Sequence, residues 1–170
     1  NVFNHDSYFG NAAFTEDGYF RTGDAGHITE NGDLVLTERL KDLFKTSNGK
    51  YIAPQALETL LGEDSMIEQV AVIGEQRKFV TALVVPAYDV VMEYADKNKI
   101  GYDGIEDLLK NPAIIEMFMQ NINQLQSNFA SYQQIKRITL LPRPFSMVTG
   151  ELTNTLKVRR AVVAKIYSKE

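Results

Sequence analysis

Cations set among glycine, serine and threonine are the chemical feature of this sequence. Arg21, Asp24, Arg39, Lys41, Lys45, Gly49 and Lys50 fall within GYFRTGD and LTERLKDLFKTSNGKYIAPQALE, a region with little apolar surface to bury. A second polar cluster, TGELTNTLKVRR from Thr149 to Arg160, carries Lys157 near the other end. Lysine and arginine beside flexible backbone suit phosphate and carboxylate groups, because their N–H donors make charge-assisted hydrogen bonds to anionic oxygens. A carboxylate such as Asp24, placed after a tight turn, can accept two hydroxyl hydrogen bonds and so suits a diol. Taken alone, these residue types point to an anion or nucleotide site. They leave open a plainer alternative, in which Arg21 and Asp24 form a local ion pair and the lysines are simply solvated.

Other chemistries lack their parts. His5 and His27 lie in separate segments with no ligand spacing around them, so neither a metal site nor a histidine-based triad is expected. Each reads as an ordinary surface or turn residue. The sequence contains no GxSxG and no GxxxxGK[ST] phosphate loop. Ser47-Asn48-Gly49-Lys50 matches S-x-x-K only formally, without that pattern's partner motifs. With no cysteine there is no disulfide, thiolate metal site or thiol nucleophile, and a cytosolic location is the simplest reading. No run approaches a membrane span, and no basic-then-apolar leader opens the chain. The first residue is Asn, and NVFNHDSYFGNAAF shows no clear period, as expected of a chain cut from something longer.

At 170 residues, 44% apolar and 24% charged, the chain reads as one ordinary globular domain with enough length to bury a core. Its net charge of −4 hides an asymmetry, since eight Lys or Arg face two Glu from Ser131 onward. A basic tail can mark nucleic acid or lipid binding. Here the cations lie among apolar residues in IKRITLLPRP and LKVRRAVVAKIY, which suits a solvated helix face. Nucleic-acid binding is not expected, because it would need stacking aromatics or a recognisable module.

The elements that must position these residues read as follows. Phe14 to Asp24 is a loop with turns. Asn31-Gly32 between GHIT and LVLTE predicts a hairpin, since both residues tolerate positive φ. Asp42 to Lys45 fits a short strand, Thr46 to Lys50 a turn, and Pro54 the first turn of a helix, PQALETLLG, stopped at Gly62. IEQVAVIG from Ile67 and KFVTALVVP from Lys78 predict two strands paired antiparallel across a short polar loop. Asp89 to Lys99 and Gly104 to Lys110 predict helices. Asn111-Pro112 predicts a capped helix start, and Ile115, Phe118, Ile122, Leu125 and Phe129 then recur at helical spacing as a core stripe. Ile135 to Leu141 predicts a third strand, and Leu156 to Tyr167 a last helix. The sum is a small α+β domain behind about forty residues that belong to something else.

GYFRTGD, ERLKDLFKTSNGKYIAPQALE and GELTNTLKVRR, in that order, resemble the acyl-CoA synthetases of the adenylate-forming superfamily, and among them the long-chain fatty acyl-CoA synthetases. The resemblance covers most of the chain. It implies an AMP-forming acid–thiol ligase, which activates a fatty acid with ATP to an acyl-adenylate, releases pyrophosphate, and passes the acyl group to the thiol of coenzyme A. It implies that residues 1–40 end the large AMP-binding domain as a β-hairpin tail. Residues 41–170 would be the mobile C-terminal domain, a short mainly antiparallel sheet flanked by helices.

By position, Asp24 would bind the ribose hydroxyls of ATP and Arg39 the ribose and phosphate region. Lys41 would sit at the hinge where the small domain rotates between half-reactions. Lys45 would lie near phosphate or CoA, and Gly49, with Lys50 and Tyr51 beside it, would line the pantetheine path. Lys157 looks like the catalytic lysine of adenylation, bridging carboxylate and α-phosphate. That role suits the chemistry, because nucleotidyl transfer needs positioned positive charge more than covalent help.

The implied partners are ATP with Mg2+, held mainly by the missing large domain, a fatty acid, CoA, and the ligase's own N-terminal domain. A cytoplasmic enzyme is expected, and the resemblance allows a peripheral membrane association. Three departures from the wider superfamily favour the long-chain branch: Thr155-Leu156-Lys157 replaces Ser-Gly-Lys, Glu38-Arg39 replaces Gly-Arg, and the stretch from Tyr88 to Phe129 is longer than in compact relatives. Because the phosphate loop, adenine pocket and acyl tunnel are not in these residues, the fragment alone is expected to be inactive. The rival reading is a non-catalytic binding or regulatory module with the same fold.

Overall fold

A computed structural model describes residues 13–168, apart from the side chains of 37 and 38. His5, read above as a surface or turn residue, and most of the opening segment lie outside the described residues. The chain divides into two compact units, one ending at Asp42 and the other beginning at Leu43.

In the first unit, Phe14 and Phe20 bridge antiparallel with ring centroids 5.4 Å apart. Strand β1 (Asp24–Ile28) then pairs antiparallel with β2 (Leu34–Arg39), from Ile28↔Leu34 to Asp24↔Arg39, with a bulge between Ala25 and Gly26. Gly26 is required by close approach, since a Cβ there would lie 2.5 Å from the Val35 carbonyl oxygen. The hairpin forms at the expected place. Positive φ falls on Gly32 (+87°) rather than on Asn31. The Gly32 N–H donates to the Thr29 carbonyl and the Thr29 N–H to the Asp33 carbonyl. That is a three-residue loop, a type I turn closed by a left-handed glycine, which needs one permissive residue instead of two.

The second unit opens with β3 (Phe44–Lys45) and β4 (Tyr51–Ile52), an antiparallel pair that points Phe44 and Ile52 inward. Helix α1 (Pro54–Gly62) follows, then β5 (Ile67–Ile73) and β6 (Val80–Pro86), paired antiparallel as expected. Helices α2 (Tyr88–Lys97), α3 (Ile105–Leu108) and α4 (Pro112–Leu125) form the connection to β7 (Ile135–Leu140). β7 lies parallel to β6, giving the order β5-β6-β7. A parallel neighbour needs a long crossover, which those helices provide.

Both faces of this sheet are covered, which explains why IEQVAVI and VTALVVP read as almost continuous apolar runs. Val70, Val72, Val80, Ala82 and Val84 pack with Leu57, Leu61, Val91, Ile114, Phe118 and Ile122. Ala71, Ile73, Leu83 and Val85 face the other way, onto Phe145, Leu152 and Val163. Asn111 caps α4 by accepting the Ala113 N–H at 2.9 Å. Phe118 and Ile122 of the expected stripe are fully buried, and Ile114 takes the third place. Ile115 packs at the margin beside Ile114, and Leu125 and Phe129 do so where α4 ends at Leu125 and a 3-10 turn follows.

That turn carries Gln126, which has no exposed surface. Its amide completes the start of β7, accepting the Ile135 N–H at 2.7 Å and donating to the Ile135 carbonyl at 3.0 Å. Gln126→Ala should therefore lower unfolding free energy by about 2–4 kcal/mol, since it strands two buried backbone groups and leaves a void. Urea denaturation would measure it.

The last predicted helix needs correction. Only α5 (Arg160–Ile166) is helical, and Leu152 and Val158 bridge as a small hairpin around the residues before it. The Thr153 hydroxyl accepts the Lys157 N–H at 3.0 Å, a local hydrogen bond that competes with helical continuation.

Candidate functional site

In the first unit the turn before β1 aims Asp24. Gly23 has φ +79° and its carbonyl accepts the Leu40 N–H, while the Asp24 N–H donates to the Thr22 hydroxyl. Asp24 and Arg39 are register partners across β1 and β2, and Arg39 Nε lies 3.5 Å from Asp24 Oδ1. The pairing considered from sequence, Arg21 with Asp24, gives way to this one. Arg21 Nε instead reaches the Phe14 carbonyl at 3.5 Å. With side chains 54% and 33% exposed, the Asp24–Arg39 pair contributes about 0–1 kcal/mol to stability. Its use is to hold a carboxylate and a guanidinium side by side at the surface. Lys41 sits in the 3-10 turn Leu40–Asp42, at the end of this unit.

In the second unit the Thr46–Lys50 turn is fixed on two sides. The Thr46 N–H donates to the Lys50 carbonyl, the Gly49 N–H to the Thr46 carbonyl, and the Lys50 N–H to the Thr46 hydroxyl. Gly49 supplies φ +78°. Ser47 N–H donates to the Arg77 carbonyl, and the Asn48 amide to the Lys78 carbonyl, so the turn is stitched to the one between β5 and β6. Gly74 makes room there, because a Cβ would meet the Phe44 ring at 2.6 Å. Lys45, Gly49, Lys50 and Tyr51 are all exposed. The Lys45 ammonium lies 5.4 Å from the Tyr51 ring and the Lys50 ammonium 5.3 Å from the Tyr132 ring. The result is a rigid backbone turn that offers cations and aromatic faces.

Lys157 is exposed too, at the foot of the Thr153–Lys157 loop. This loop has the same hydrogen bonds as Thr15–Tyr19, Thr29–Asp33 and Thr46–Lys50: the first N–H donates to the last carbonyl, the fourth N–H to the first carbonyl, and the last N–H to the threonine hydroxyl. In those three the fourth position is Gly18, Gly32 or Gly49, with φ between +78° and +89°. In the Lys157 loop it is Leu156, at φ +60°. Left-handed backbone costs a residue with a Cβ about 1–2 kcal/mol.

The segment that carries this loop is anchored by two ion pairs absent from the sequence reading. Glu151 is completely buried and accepts Arg143 Nη1 and Nη2 at 2.8 and 3.0 Å, the Tyr167 hydroxyl at 2.9 Å, the Ser146 N–H at 3.1 Å, and the Thr149 hydroxyl. Burial alone would raise its carboxyl, but the hydrogen bonds from Arg143, Thr149, Tyr167 and Ser146 outweigh it and hold the group at about 2. Burial, and then the Glu151 carboxylate, pushes the Tyr167 hydroxyl up to about 12. At the start of α5, Arg160 Nη2 lies 2.7 Å from both Glu58 oxygens and its Nε donates to the Val72 carbonyl, tying the helix to α1 and β5. One signal was available for Glu151, as the lone acid between Ser131 and Glu170. Arg143 and Tyr167 carried none.

Residues 41–170 match the family model described as AMP-binding enzyme C-terminal domain. The chain is 36% identical over 156 residues to Long-chain-fatty-acid–CoA ligase 5 of Mus musculus, covering 89% of this chain and 22% of that protein. It is 34% identical over 159 residues to Long-chain-fatty-acid–CoA ligase FadD15 of Mycobacterium tuberculosis, covering 93% and 26%. It thus spans about a quarter of the length of these relatives. In fold it resembles the A domain of carboxylic acid reductase from Segniliparus rugosus, solved in complex with AMP and a co-purified carboxylic acid. That likeness has a TM-score of 0.75 at 23% identity, covering 97% of this chain and 24% of the other. Since the matched stretch runs from the end of the first unit through the whole of the second, the chain belongs to the AMP-binding enzyme C-terminal domain family.

Proposed function

We propose that this chain is the C-terminal portion of an ATP-dependent long-chain fatty acid–CoA ligase, which adenylates a carboxylate and then forms a thioester with CoA. The observation that carries the reading is its 34–36% identity to proteins of that name, along nearly all of its length. Asp24 accepts the ribose hydroxyls of ATP, and Arg39, held beside it, faces the ribose and phosphates. Lys157 brings its ammonium to the carboxylate and α-phosphate oxygens as negative charge builds between them. Lys41 serves as the hinge, so that a domain rotation withdraws Lys157 after the first step and presents the Thr46–Lys50 turn for the second. There Gly49 leaves backbone open to pantetheine, while Lys45, Lys50 and Tyr51 meet the phosphorylated end of CoA.

Among the described residues no group of three or more His, Asp or Glu is placed to hold a metal ion. On this reading the Mg2+ that accompanies ATP is held mainly by the larger part of the ligase, outside these residues. The cysteine-free sequence suits a reducing compartment such as the cytoplasm. Among the described residues no helix is long and apolar enough to cross a membrane. The fragment by itself is inactive on this reading, because acyl and adenine pockets lie outside it. The test is fatty-acid-dependent ATP–pyrophosphate exchange by the full-length protein. Exchange is the expected result. A folded protein that exchanges with no fatty acid would instead point to a binding or regulatory module.

A further inference from the structure

Among the described residues nothing accounts for the leucine in the left-handed position beside Lys157. Glycine fills that position in the three sibling loops, so the loop itself does not call for a side chain. Leu156 is 67% exposed and belongs to neither core cluster, so among the described residues no core packing offsets its strained backbone. The other described non-glycine residues with positive φ, Gln76 and Lys99, are polar and lose nothing by standing in water. An apolar side chain that is both strained and exposed is explained by a surface that covers it in another state.

We propose that Leu156 is a positioning residue for Lys157, seating in an apolar surface of the larger part of the ligase when the lysine is engaged for adenylation. This rests on the ligase reading above. The relatives extend to about four times the length of this chain, so such a surface has ample chain to come from. A leucine next to a lysine in one tight loop is matched by an apolar wall beside an anionic pocket. Seating the leucine fixes where the lysine can reach. A glycine would present the same backbone without that anchor, and with more freedom to leave it.

The test uses the full-length ligase and its Leu156→Gly and Leu156→Met variants, with ATP–pyrophosphate exchange at two acyl chain lengths and a thermal unfolding midpoint. Leu156→Gly should keep or raise the midpoint while lowering kcat/KM for exchange about ten- to a hundredfold, as loss of a buried leucine contact would. Leu156→Met should retain most of the rate, and the glycine loss should be equal at both chain lengths. An unchanged rate in Leu156→Gly overturns the proposal. So does a lowered midpoint, which would make Leu156 an internal packing residue, or a loss that grows with acyl length, which would place it on the substrate. A wild type without exchange sinks the ligase reading itself, whereas an active wild type matched by Leu156→Gly sinks only this inference.

Discussion

Lys157→Ala in the full-length protein should cut fatty-acid-dependent ATP–pyrophosphate exchange by about 10²–10³-fold, the cost of removing one preorganised group that stabilises transition-state charge. The substitution is well suited to reading chemistry. Lys157 is exposed, and what fixes its place in the loop is its backbone N–H on the Thr153 hydroxyl, which alanine keeps. A surface truncation of this kind usually moves stability by less than about 0.5 kcal/mol, so a large rate loss cannot be blamed on unfolding. Transfer of the acyl group from a supplied acyl-adenylate to CoA should survive, because the proposed rotation has by then withdrawn the lysine. Lys157→Arg should fall between the two, keeping the charge but offering a planar fork where a compact ammonium fits. Exchange in Lys157→Ala at the wild-type rate would remove Lys157 from the reaction.

What could be read in the sequence was what local chemistry decides. The Pro54 and Asn111-Pro112 helix starts, the antiparallel pair from Ile67 to Pro86 and the Thr46–Lys50 turn depend on neighbours in sequence, and they appear where the residue types place them. The errors mark where a more distant or subtler choice takes over. Leu156 to Tyr167 has helical apolar spacing, yet the Thr153 hydroxyl captures the Lys157 backbone and shortens the helix to Arg160–Ile166. Asn31-Gly32 signals a hairpin, but one hydrogen bond decides between a two-residue and a three-residue loop. The candidate site was legible as a set of residue types and not as geometry. Nothing in composition shows that Arg39 rather than Arg21 stands across from Asp24, since that follows from strand register. A lone acid in a basic tail, Glu151 looks solvated in sequence until the fold brings Arg143 and Tyr167 onto it.

Glu151→Ala should be the most destabilising substitution available in the segment that carries Lys157. Removing one partner of a buried ion pair costs about 3–5 kcal/mol. The low end applies, because Arg143 is 44% exposed and can recover water. The Tyr167 and Thr149 hydroxyls and the Ser146 N–H lose their shared acceptor as well. Part of that cost belongs to the charge of the carboxylate and depends on pH. A carboxyl held at about 2 in the folded chain, against an ordinary 4.5, contributes about 3 kcal/mol, at roughly 1.4 kcal/mol per pH unit of difference. The sign follows from the direction: the folded value is depressed, so the contribution is complete above pH 4.5 and is lost as pH falls towards 2. Glu151→Gln, which keeps the shape and cannot ionise, should be less stable than wild type near neutrality, with the gap closing through that acid window. Urea midpoints of the two chains from about pH 6 down to about pH 2.5 would show it. A gap that stays constant with pH would mean that the carboxylate is held by shape alone and that its charge contributes nothing to the platform under Lys157.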